Sequence, residues 1–215
     1  MEKKLIGNWY SSSKNRIYSE LQFYKDTLVI YDSSGKTTLK WNLDEGKIYT
    51  SHLNQSGPIY DYDLKSINLK LVRNDTIELP KFTKAKNAYD FFQKILNMQI
   101  DLPIKDSELI EIGFLEHLNF NIYAGYNNKE LVVKTDLTPD LNNLESEVTE
   151  FKEKSRDELK RLLRFNLIAD KNISEFQMDS IKNRLKTTSI EQIFRTYKNK
   201  QTDYKNNLNW FGQKE

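Results

Sequence analysis

The residue types with the most chemical reach in this chain are carboxylates. Asp61 and Asp63 stand two apart in Ile59-Tyr60-Asp61-Tyr62-Asp63-Leu64, and side chains two apart on a strand share one face. Paired carboxylates are what glycosidases use as acid and base, so a hydrolase built on Asp61 and Asp63 is one reading. Two solvated acids on an outer strand face are the other. Histidine adds little: His52 and His117 lie far apart and in neither a His-x-x-x-His nor a His-Glu-x-x-His spacing, so two ordinary histidines at strand ends are expected rather than a metal site. Ser11-Ser12-Ser13 lacks a Gly-x-Ser-x-Gly elbow and reads as a turn. With 7 glycines, none in a phosphate-loop or dinucleotide array, and no cysteine, the chain gives no support to a nucleotide cofactor, a thiolate nucleophile, a disulfide or a cysteine-held metal. No cofactor and no metal are expected, and the chain is read as a non-enzyme.

Aromatic side chains are the next resource. Trp9, Trp41, Tyr49, Tyr60 and Tyr62 fall on extended segments, where they would line a ligand cavity or form cross-strand core pairs. Near the C-terminus, Leu208, Trp210 and Phe211 interrupt a polar tail. Trp210 and Phe211 are therefore candidates for docking, either back onto the fold or into a partner's groove. Charge excludes another class: 33 basic against 31 acidic residues leave +2, too little for a dedicated nucleic-acid binder. The Lys81, Lys84, Lys86 run reads as a solvated face. No stretch approaches the roughly 20 apolar residues of a membrane span, and the N-terminus Met-Glu-Lys-Lys-Leu-Ile-Gly carries no apolar signal core. A soluble, cytoplasmic, bacterial-type protein is expected.

The elements that must position these residues change character along the chain. From Leu5 to about Leu79, short β-rich runs alternate with turns such as Asp32-Ser33-Ser34-Gly35, Asp44-Glu45-Gly46-Lys47 and Arg73-Asn74-Asp75. About seven strands at roughly ten-residue spacing predict an antiparallel meander or small barrel over 1–80. Ala88, Phe91, Phe92, Ile95 and Leu96 then mark a connecting helix within 81–104. Residues 105–215 read as an α+β module of order β-β-α-β-α-β with a C-terminal tail. Its hairpin turns at Gly125-Tyr126-Asn127-Asn128. Thr138 and Pro139 start a helix whose polar middle calls for a break near Ser155. Phe165 to Ala169 is a strand, Ser174 and Gln177 form a capping box, and Ile190 to Tyr197 is the last strand.

Two resemblances follow from particular residues. Leu5-Ile6-Gly7-Asn8-Trp9-Tyr10, opening a meander, resembles the start of lipocalin-like and fatty-acid-binding-like barrels. That likeness implies a Gly-x-Trp on the first strand, the tryptophan packed across the closed end, and a cavity for one apolar ligand. Asn119 to Tyr197, with Leu167-Ile168-Ala169-Asp170-Lys171 as its best local match, is similar to the soluble domain of the ExbD and TolR biopolymer-transport family. The chain carries neither that family's membrane helix nor its proton-relay aspartate, so this likeness implies a fold and a binding role. Taken together, the readings lead to a non-enzymatic protein-binding protein, such as an immunity-type inhibitor or accessory factor. A lipocalin-like carrier of a small apolar ligand is the alternative.

Overall fold

The structure, a computed structural model, describes residues 2–13, 16–32, 35–53, 55–106, 108–112, 118–198 and 211–215. The chain divides into two compact units, Met1–Phe92 and Gln93–Glu215. In the first, the short helix α1 (Glu2–Leu5) precedes strands β1 (Gly7–Ser13), β2 (Arg16–Phe23), β3 (Thr27–Asp32), β4 (Gly35–Asp44) and β5 (Lys47–His52). The chain continues through β6 (Gln55–Lys65), β7 (Asn68–Arg73), β8 (Ile77–Glu78) and β9 (Phe82–Ala85), after which α2 (Ala88–Leu96) spans the boundary between the two units.

Each strand from β1 to β7 pairs antiparallel with the next, β9 bridges β7 and β1, and β8 hangs on β7. The result is a closed eight-stranded antiparallel barrel with β8 as an appendage, a closure that removes exposed strand edges. Turn chemistry sets the register. Glu45 and Gly46 take positive φ (46° and 78°) between β4 and β5, the two left-handed positions that match strand twist in a tight hairpin. Period-two alternation then places Trp9, Leu21, Phe23, Leu39, Trp41 and Leu71 in one interior cluster.

The barrel has more strands than the meander anticipated from sequence, for identifiable reasons. Ser11-Ser12-Ser13 is the end of β1 rather than a turn, and the Ser11 hydroxyl meets that of Ser19 on β2 at 2.8 Å. The Lys-rich stretch after Pro80 contains β9, the strand that closes the barrel. Lys84 is not simply solvated: its ammonium donates to the Lys4 carbonyl at 2.8 Å and lies 5.1 Å over the Trp9 ring.

The second unit contains β10 (Ile110–Glu111), β11 (Asn119–Asn127), β12 (Glu130–Thr135), α3 (Leu144–Glu153), a 3-10 helix (Asp157–Leu162) and β13 (Arg164–Ala169). It ends with α4 (Glu175–Lys186), β14 (Gln192–Tyr197) and β15 (Phe211–Lys214). Its mixed sheet has the order β10-β15-β14-β13-β11-β12, with β11, β13 and β14 parallel. Phe120, Ile122, Phe165, Leu167 and Ile193 bury one face together with Leu144 and Val148 of α3 and Met178, Ile181 and Leu185 of α4. The expected break near Ser155 is present, where α3 gives way to the 3-10 helix. Ser174 and Gln177 form the reciprocal capping box.

Two local expectations need correction. Thr138 does not cap α3, which begins at Leu144: the Thr135 hydroxyl accepts from the Leu137 and Thr138 amides and donates to Glu147 at 2.6 Å, so 135–138 is locked as a turn. The hairpin turns at Asn128 and Lys129, both at positive φ, and Gly125 lies inside β11. There a Cβ would stand 2.3 Å from the Gln99 carbonyl oxygen, so glycine is needed for the close approach of that segment.

Candidate functional site

The barrel interior holds an open-mouthed cavity of about 520 Å³. Antiparallel closure gathers the β2–β3, β4–β5 and β6–β7 turns at one end, and the β1–β2, β3–β4, β5–β6 and β7–β8 connections at the other. The first end is sealed. Leu5 of α1 and Trp9 are fully buried, and the Trp9 indole N–H donates to the Leu5 carbonyl at 2.7 Å. Trp41 donates to the Tyr24 carbonyl at 2.9 Å and meets Phe23 edge to face at 5.0 Å. Leu21, Phe23, Leu28, Leu39, Ile48 and Leu71 supply much of the apolar wall.

Polar side chains collect toward the other end. Asp32 closes β3, Thr37 stands near the start of β4, and Arg73 closes β7, with Glu78 beyond it on β8. Tyr60 and Arg73 are direct cross-strand partners and both line the cavity. Burial pushes the Tyr60 phenol above its ordinary range, with Arg73 pulling it back and Asp32 adding to the rise. The arrangement is an apolar interior with a polar, mixed-charge mouth.

Of the aromatics singled out by sequence, Tyr60 lines this cavity. Trp9 and Trp41 form its sealed end, Tyr62 packs against the same interior cluster, and Tyr49 is half-buried on β5. Arg73, Asp32 and Thr37 were missed, although each continues an alternating series: Leu69-Leu71-Arg73, Leu28-Ile30-Asp32 and Thr37-Leu39-Trp41. The period that buries the leucines also turns the polar residue inward.

Asp61 and Asp63 share the outward parity of β6, and each faces a lysine: Lys47 lies 3.3 Å from Asp61 and Lys65 3.3 Å from Asp63. They are solvated surface ion pairs, away from the cavity. His52 is exposed, with Nδ1 3.0 Å from the Thr38 carbonyl, and His117 lies outside the described residues. Among the described residues no cluster of His, Asp and Glu could hold a metal ion. Trp210 also lies outside them. Phe211 opens β15, whose backbone pairs with β14 and β10.

A second polar group sits on the outer face of β1 and β2. Tyr10 and Glu20 are cross-strand partners, both fully buried, and Phe91 of α2 stacks on Tyr10 at 5.2 Å. Gln22 donates to one Glu20 oxygen at 2.7 Å, while the other oxygen and the Tyr10 hydroxyl face each other without a well-formed hydrogen bond. Burial pushes the Glu20 carboxyl up to about 7, against the opposing pull of Gln22 and Tyr10. Glu20 alternates with the cavity-lining Ser19 and Leu21 and so points outward, and nothing in the sequence around it marks it as buried.

No family model, curated protein or solved structure matches the chain. The eight-stranded antiparallel barrel with a buried Gly-x-Trp tryptophan is consistent with a small barrel of the lipocalin-like or fatty-acid-binding-like kind. The resemblance of Asn119 to Tyr197 to the ExbD and TolR family finds no support in these comparisons. No helix among the described residues is long and apolar enough to cross a membrane.

Proposed function

We propose that the first unit is a non-catalytic carrier that holds one small, mainly apolar molecule inside the barrel. The observation that carries this reading is the cavity of about 520 Å³, which falls within the range of small-ligand sites. An apolar ligand body would lie against Leu21, Leu28, Leu39 and Leu71, with any polar end directed to Tyr60 and Arg73 at the mouth. Burial of apolar ligand surface would supply the affinity, and the few polar groups its orientation. No step of this role requires a cofactor.

A second reading, docking to a protein partner in the manner of an immunity-type inhibitor, draws on one feature. Phe176, in the first turn of α4, is 84% exposed, and aromatics are enriched at interface anchors. Native mass spectrometry of the protein captured gently from its host separates the two. The carrier reading expects an adduct of a few hundred daltons that denaturation releases. A stoichiometric second protein, with no small adduct, would favour docking instead.

A further inference from the structure

The second unit has a pocket of its own, about 280 Å³, where the last turn of α3, the 3-10 helix and the segment entering β14 meet. Its wall carries three cations, Lys152, Lys160 and Arg161, against one carboxylate, Glu191. Buried Leu163 and Ile190 form an apolar base, and Ser189 adds a hydroxyl. The Gln192 side chain donates to the Arg161 carbonyl at 2.9 Å, tying the backbone of the 3-10 helix to β14. Lys160 is partnered by the exposed Asp157 at 2.6 Å. Lys152 and Arg161 have no ion pair among the described residues.

Like charges gathered in a concavity repel unless an anion offsets them, and low-dielectric walls focus their field on whatever enters. A guanidinium fork, two ammonium groups and a hydroxyl present donors from several directions, the pattern that tetrahedral phosphoryl oxygens accept. We propose that this pocket binds a phosphate group, with room beside it for part of a small molecule that bears it. The site is separate from the barrel cavity and does not depend on the carrier reading. Glu191 sits on the same wall as an opposing charge, so its removal strengthens binding.

The test is an amide NMR titration of the full chain with inorganic phosphate at constant ionic strength, with chloride as the reference anion. Saturable shifts are expected at residues 160–163 and 189–192, with tighter binding at pH 8 than at pH 6, because inorganic phosphate gains its second negative charge between those two values and a dianion is held more strongly by the cations. Arg161→Gln is expected to weaken binding by about tenfold or more through loss of charge-assisted bonds. Glu191→Gln is expected to tighten it, and Lys129→Gln, in the distant β11–β12 hairpin turn, to leave it unchanged. Arg161 is exposed, so its replacement leaves the core intact. Shifts that fail to saturate, that chloride reproduces, or that Lys129→Gln diminishes as much as Arg161→Gln would overturn the proposal.

Discussion

At the scale of single residues, the sharpest consequence concerns Glu20. Its carboxyl is raised from 4.5 to about 7 by burial. The unfolded chain therefore releases this proton at a lower pH than the folded chain. Below about pH 4.5 both states hold the proton and the contribution is full; as pH rises through 7 the folded barrel loses stability, and above that the loss levels off. The gap corresponds to about 3 kcal/mol. Chemical denaturation of a Trp210→Phe background, read by Trp9 and Trp41, should give a lower midpoint at pH 8 than at pH 5, and Glu20→Gln should flatten that difference. A midpoint independent of pH would remove the argument. Gly7 is a second test: its φ of +125° disfavours any side chain, although the end of Lys84, 2.9 Å from the Cβ position, can move aside. Gly7→Ala is expected to destabilise the barrel by about 1 kcal/mol or more, seen as a lower melting temperature.

At the scale of elements, the parts legible in sequence were those whose signals are local. The capping box at Ser174 and Gln177, the break after α3 and the alternating strands of the barrel depend on neighbours a few residues away. Ser174→Ala is expected to cost about 1 kcal/mol, measured as a lower denaturation midpoint of the second unit. Elements fixed by distant partners were not legible. β9 is a short run among lysines that becomes a strand because β1 and β7 each offer it an edge. β15, Phe-Gly-Gln-Lys, has little strand character of its own and forms between β14 and β10. Gly212 allows that packing, since a Cβ there would fall 2.2 Å from Ile112 Cδ1. The start of α3 moved for a similar reason: Thr135 locks 135–138 as a turn, and the Thr138 hydroxyl donates to the Asp140 carbonyl rather than accepting from a first-turn amide.

At the scale of the whole molecule, the two units pose separate questions, one about an apolar cavity and one about a cationic pocket. Strand parity in the sequence identifies residues that face inward, but the space left between them depends on barrel closure and on which side chains fill it. Tyr60 was therefore reachable from sequence as a cavity residue, whereas the sealing roles of Trp9 and Trp41 emerge from α1 and the β2–β3 turn meeting them. The central claim is that the barrel holds a ligand, and an apolar fluorophore tests it most directly. Titration with 1-anilinonaphthalene-8-sulfonate should saturate at one dye per chain, with energy transfer from the barrel tryptophans. The variant Ile30→Trp/Leu71→Phe, which fills the cavity from within, should abolish binding while Leu53→Ser, at an exposed hairpin end, leaves it intact. Dye binding that survives in the filled barrel, or that Leu53→Ser removes, would contradict the account.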